Sequence, residues 1–225
     1  MAIIECIDVR KTYRSGEVEV KALQGVSLSV QRGEFVALTG PSGCGKTTLL
    51  NTIGGLDRPS TGDVLVEGQS LSELSNSDLA DLRLRRIGFV FQAYNLVPVL
   101  SSLENVEFVL RLQGVRKKER YRRASEMLAS VGLDAMQHRR PAELSGGQQQ
   151  RVAVARALAS NPAIIVADEP TANLDSKTSQ ALLELMRRLN DEASLTFVVA
   201  SHDPKVLEFV HRNVTLVDGQ VHSDR

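Results

Sequence analysis

EFVALTGPSGCGKTTLLNTI, residues 34–53, strings together an apolar run, a glycine-rich turn and the start of a second apolar segment. Glu34–Thr39 stops at Gly40 and has the form of a short strand buried on both faces of a parallel sheet. Gly40–Thr47, GPSGCGKT, fits G-x-x-x-x-G-K-[ST], the phosphate-binding loop. Such glycines let backbone N–H groups converge on one concavity, and the helix start that follows adds a partial positive charge. In this pattern Lys46 reaches the β- and γ-phosphates and Thr47 holds Mg²⁺. Gly40, Pro41, Ser42, Gly43, Cys44, Gly45 and Thr48 complete the expected nucleotide cradle. A mere glycine-rich turn would not need to sit between a strand and the apolar segment Leu49–Ile53.

Three more apolar runs end in the same way. Ile87–Phe91 runs into Gln92, Ile164–Ala167 into Asp168 and Glu169, and Leu195–Ala200 into Ser201 and His202. Ligands of open parallel sheets bind beyond the carboxyl ends of the strands, so these polar residues share an edge with the phosphate loop. Asp168 suits water-mediated Mg²⁺ binding, and Glu169 is a candidate general base for an attacking water. His202 is expected to contact the γ-phosphate or that water. The amide of Gln92 can join the Mg²⁺ shell or place water. Tyr13, in KTYRSG, offers a π-face for adenine, or else simply packs.

The chain ahead of the loop reads as strands, Ile3–Val9, Glu17–Leu23 and Val26–Val30. Between Gln92 and Asn161 the apolar spacing turns helical, in Leu103–Leu112, Ala124–Val131 and Val152–Ala159, with the basic run Arg116–Arg123 among them. This predicts a helical part inserted into an α/β core. Lys177–Glu192 reads as a further amphipathic helix, and Asp218-Gly219 as a two-residue hairpin turn.

Leu144–Gln148, LSGGQ, opens one of those helices. Ser145 and Gln148 have capping-box spacing. Gly146 and Gly147 after the cap cost helix stability, so something is expected to approach their backbone closely. A helix start with bare N–H groups is a second anion site, and Ser145 adds a hydroxyl.

Composition sets outer limits. There are 27 basic and 27 acidic residues, and zero net charge argues against a nucleic-acid partner. Two cysteines without metal-ligand spacing suit a reducing compartment. No signal peptide is visible, and no apolar run approaches the ~20 residues of a membrane span. Cys44, two residues before Lys46 near a helix start, either favours thiolate and labels faster than Cys6, or is an inert small side chain filling a loop position.

Taken together, GPSGCGKT, IIVADE, LSGGQ, FQAYN, the NLD of Asn173–Asp175 and His202 resemble the ATP-binding cassette (ABC) ATPases over nearly all 225 residues. IGGLDRPSTGDV, FQAYNLVPVLSSLENVE and DEPTANLD are most similar to its branch of lipoprotein-release, macrolide-efflux and cell-division ATPases. The resemblance implies an α/β fold: a P-loop NTPase core with a mainly parallel sheet, an N-terminal antiparallel β-subdomain and an inserted α-helical subdomain. It implies one domain over 1–225, with 1–92 and 162–225 as core and 93–161 as the insertion. It implies ATP and Mg²⁺ as cofactors, with Thr47, Gln92 and Asp168 on the metal. Lys46, Gln92, Glu169 and His202 would be catalytic. It also implies a homodimer on ATP binding, in which Ser145, Gly146, Gly147 and Gln148 face the partner's ATP beside a D-loop of Asn173 and Asp175. The expected role is to power a separate integral membrane permease from the cytoplasmic face of the inner membrane, for export or extraction. The alternative is a signalling module that drives envelope enzymes without transport. Tyr94–Leu100 would form a groove for the permease, or lobe core, and Arg116–Arg123 a solvated face or a contact for anionic lipid.

Overall fold

The computed structural model describes residues 2–16 and 18–225, so Glu17, the first residue of one predicted strand, lies outside the described residues. The apolar runs become a six-stranded sheet. Its members are β3 (Phe35–Thr39), β6 (Ile87–Val90), β7 (Ile164–Asp168), β8 (Thr196–Ala200), β9 (Arg212–Val217) and β10 (Gln220–Asp224), in the order β10-β9-β3-β8-β7-β6. All neighbours are parallel except β10, which returns antiparallel on β9. The predicted Asp218-Gly219 turn makes that return, with φ values of 48° and 75° at its two residues. A second, antiparallel sheet holds β1 (Ala2–Ser15), β2 (Val18–Gln31), β4 (Thr61–Val66) and β5 (Gln69–Ser70), in the order β2-β1-β4-β5.

Alternation along the parallel strands splits the core in two. Val36, Leu38, Ile164, Val166, Val198 and Ala200 face the antiparallel sheet and α1 (Lys46–Ile53). Phe35, Ala37, Ile165, Ala167, Phe197 and Val199 face the other way. They pack on α3 (Ser102–Leu112), α4 (Lys117–Ser130), α5 (Gly146–Ala159) and α6 (Ser176–Ala193). Phe35 and Phe197 meet across neighbouring strands with ring centroids 5.0 Å apart. The helices of 93–161 therefore share one hydrophobic core with a sheet face.

Some elements differ from the sequence reading. Two predicted strands merge into β2, whose ladder with β1 runs through Gln24 and absorbs several register shifts. A further helix, α2 (Asn76–Arg86), precedes β6. Helix α4 begins at Lys117, so most of the basic run is its first half. There Arg122 pairs with Glu119 and Glu126, Arg120 donates to the Val115 carbonyl and Arg123 to that of Ala159. Arg116, Lys117, Lys118 and Arg122 stay exposed, so the run is largely the solvated face expected, with only Arg120 and Arg123 turned to backbone carbonyls. Among the described residues no helix is long and apolar enough to cross a membrane.

Candidate nucleotide site

The carboxyl end of β3 and the start of α1 enclose a cavity of ≈ 430 Å³. Ser42, Gly43, Gly45, Lys46, Thr47 and Thr48 line one side. Gln92, Glu169 and His202 line the other, from the ends of β6, β7 and β8. Gly45 caps α1 at φ 103°, and a Cβ there would stand 2.5 Å from the Ala22 carbonyl oxygen. Only glycine fits, and no side chain caps the first N–H groups of this helix. They are left for an anion. Lys46 is 8% exposed, and its ammonium donates to the Gly40 and Pro41 carbonyls at 2.8 and 3.0 Å.

Three of the expected cradle residues form the back of the loop, outside the cavity lining: Gly40, Pro41 and Cys44. The Cys44 amide donates to the Pro41 carbonyl at 3.3 Å, and its thiol is buried, 3.8 Å from the Lys46 ammonium. Of the two readings of Cys44, burial of its side chain in the core favours the inert one over ready labelling. Cys6 is no better placed, since burial pushes its thiol up to about 12.

Asp168 ends β7 and accepts from the Thr47 hydroxyl at 3.2 Å. Burial raises the Asp168 pKa most, the Thr47 hydrogen bond opposes it, and adjacent Glu169 raises it further. A hard cation relieves that crowding of negative charge. Among the described residues no cluster of three or more His, Cys, Asp or Glu forms a metal cage. A hydroxyl, a carboxylate and an amide oxygen that leave positions open suit Mg²⁺, which favours one or two carboxylates plus substrate phosphates. Thr47, Asp168 and Gln92 fit as its holders.

Glu169 takes the left-handed conformation, φ 46°, one residue past the strand. Its amide donates to the Ala200 carbonyl at 2.9 Å, and its carboxylate accepts from His202 Nδ1 at 2.9 Å. The sequence reading gave these two residues separate contacts, and their direct hydrogen bond was missed. Lys21, Val20 and Ala22 of β2 also line the cavity, with no sequence signal pointing to them. Tyr13 lies outside the lining. Its hydroxyl donates to Asp57 Oδ2 at 2.8 Å, and the Lys11 ammonium sits 5.0 Å from its ring centre.

Ser145–Gln148 is absent from this cavity's lining. The capping box is formed: Gln148 N–H donates to Ser145 Oγ at 3.3 Å, and Ser145 N–H to Gln148 Oε1 at 2.9 Å. The question of what approaches the two glycines has an answer inside the chain. A Cβ on Gly146 would stand 2.8 Å from the Tyr94 hydroxyl, and one on Gly147 2.2 Å from Thr178 Cγ2. That packing is a reason for both glycines besides the implied approach of a partner's nucleotide. Thr178 is fixed by Asp175, which caps α6 and accepts from both the amide and the hydroxyl of Thr178. Asn173 donates to the Gln92 carbonyl at 3.0 Å.

A family profile described as ABC transporter matches residues 23–172. A macrolide export ATP-binding/permease protein, MacB, of Syntrophobacter fumaroxidans is 48% identical over 98% of this chain and 31% of its own length. The lipoprotein-releasing system ATP-binding protein LolD of Geobacter metallireducens is 44% identical over 99% of both chains. The solved dimeric post-hydrolysis state of the ATP-binding cassette MJ0796, bound to ADP and Pi, superposes with a TM-score of 0.92 at 45% identity. That match covers 99% of this chain and 97% of the other. A phosphate loop, an acidic strand end and a capped SGGQ helix on one parallel sheet, with these likenesses, place the chain in the ABC transporter family, as an ATP-hydrolysing cassette that uses ATP and Mg²⁺.

Proposed function

We propose that this chain is the ATPase subunit that powers a separate integral membrane protein, for export of a substrate or its extraction from the membrane. The observation that carries the reading is the single cavity shared by uncapped α1 amides, Lys46, Gln92, Glu169 and His202. In it the loop amides and Lys46 bind the phosphates, with Ser42, Gly43 and Thr48 around them. Thr47, Asp168 and Gln92 hold Mg²⁺, which neutralises phosphate charge when bound. Glu169 takes a proton from water, and His202 orients the Glu169 carboxylate. Tyr13 lies within hydrogen-bond reach of Thr48, and the base stacks on its ring.

Two copies act together. Ser145, Gly146, Gly147 and Gln148 present the α5 amides to the ATP of a second copy, while Asn173 and Asp175 lie at the seam. Likeness to the dimeric cassette supports this. Residues 1–225 work as one unit, with 93–161 as its helical part. The permease part of the MacB relative's name supports a membrane partner, and the chain works at the cytoplasmic face of the inner membrane beside it. The surface for that partner is the largely exposed Tyr94–Leu100 stretch together with a mostly apolar groove of ≈ 360 Å³ that it enters through Asn95, lined by Leu56, Phe89, Phe91 and Val109.

The experiment uses Glu169→Gln, tagged, in native membranes. ATP binding is kept, turnover falls about 10²–10⁴-fold, and an ATP-bound dimer accumulates on size exclusion together with an integral membrane chain. Near-wild-type turnover removes Glu169 as the base. An ATP-bound dimer that never co-purifies with a membrane chain removes the transport reading.

A further inference from the structure

The loop that carries Gln92 is bent against its own preference. Tyr94 and Asn95 sit consecutively in the left-handed region, at φ 61° and 49°. Asparagine tolerates this, but a bulky tyrosine there is an outlier that surrounding contacts must impose. The contacts come from α5. Arg156 donates Nη2–H to the Tyr94 carbonyl at 3.0 Å and Nη1–H to the Asn95 carbonyl at 2.5 Å. Closer to the start of the helix, the Tyr94 hydroxyl rests against the bare Cα of Gly146. Gln150, wholly buried on the same helix, reaches the Phe91 carbonyl at 3.5 Å. With Asn173 on the Gln92 carbonyl, four of the five carbonyls from 91 to 95 take a side-chain donor.

We propose that Arg156 is a positioning residue for ATP hydrolysis: by clamping the left-handed Tyr94–Asn95 turn onto α5, it sets where Gln92 stands in the nucleotide cavity. The guanidinium suits this because two nitrogens of one rigid plane reach two successive carbonyls. A turn so held follows the helix, so a shift of α5 moves Gln92. The inference rests on the reading of Gln92 as an active-site residue. A purely structural Arg156 would satisfy the same carbonyls without affecting turnover per folded molecule.

Steady-state ATPase assays and thermal melts of the whole chain separate the two. Arg156→Lys keeps the charge but cannot span both carbonyls. Its kcat is expected to fall roughly 10- to 100-fold, with the KM for ATP within about twofold, as for a misplaced group rather than lost binding. Adding Asn95→Gly, which adopts positive φ without strain, is expected to recover most of that loss. Asn95 is exposed, so Asn95→Val disturbs the turn from the solvent side and leaves Arg156 and the core in place. It is expected to lower kcat by a similar factor even if Arg156→Lys fails to fold. Wild-type kcat in Arg156→Lys or Asn95→Val overturns the proposal, as does a loss in Arg156→Lys that Asn95→Gly leaves unrecovered. Gln92→Ala is the control. Full activity there removes the reading beneath the proposal, whereas loss there beside full activity in Arg156→Lys defeats the clamp alone.

Discussion

Asp168 and Glu169 are consecutive in sequence, yet the end of β7 gives them different surroundings. Asp168 is crowded by burial and by its neighbour, which raises its pKa above the unfolded value of 3.8. The sign follows. The native state disfavours the ionised form, so the fold bears no penalty below the ordinary carboxylate pKa. The penalty grows as pH rises and is complete above the raised native value. Asp168→Asn is therefore expected to raise the melting temperature of the nucleotide-free protein at neutral pH. The gain should shrink as pH falls through the raised native value, while Mg²⁺-dependent turnover is lost. Melts across that pH range check it, and a variant less stable than wild type at neutral pH refutes the account. The Glu169–His202 bond shows where residue-scale reading stops. Both residues are legible as polar groups at strand ends. Their contact depends on the register that sets Asp168 opposite Ala200, so that Glu169, one residue past β7, meets His202, two residues past β8. Lys21 is illegible for a similar reason: only β2 lying alongside the loop brings it to the cavity.

Elements with a wide apolar face are legible, and those with little of one are not. The buried strands and α6 announce themselves through runs or helical spacing of apolar residues. Helix α2 buries only Leu79 and Leu82 and is otherwise mostly polar, so its one clear local signal is Ser75, which caps it from three residues before Asp78. The SGGQ helix raises a different ambiguity, because its glycines answer both to Thr178 and to a second subunit's nucleotide. Gly147→Ala separates the two demands. The added Cβ meets the methyl of Thr178, a stiff β-branched side chain pinned by Asp175. Overpacking of this kind costs about 1–3 kcal/mol, so the melting temperature of the isolated chain should drop. Thr178→Ala in the same chain should restore it. If a partner's ATP also needs the bare glycine, ATPase activity stays low in the restored double variant. Full activity there would mean that packing on Thr178 is the only reason for Gly147.

At the scale of the whole molecule, one parallel sheet divides two cores, and the nucleotide cavity opens at the edge where four strands end. The strand pattern makes that edge legible, because parallel sheets bind ligands there. A second chain is not legible in the same way: sequence supplies two helix starts suited to anions but no distance between them. The fold leaves Ser145–Gln148 out of the cavity built by Gly43–Thr48, so one chain does not bring both to one phosphate. Mixing two defective subunits tests whether a pair does. Lys46→Ala damages the phosphate loop, and Ser145→Arg blocks the SGGQ helix start while replacing its capping serine. Each homodimer then carries a lesion in both of its sites. If sites are shared across subunits, the mixed dimer gathers both lesions in one composite site and leaves the other intact. Its ATPase activity should exceed that of either mutant alone, provided one intact site turns over. If every site lay within one chain, each site in the mixture would keep its own lesion and activity would stay at the mutants' average. Because losing an N-cap costs about 1 kcal/mol, the Ser145→Arg subunit must first be shown to melt as a folded chain. With that established, a mixture that never rises above its parts rules out the shared site.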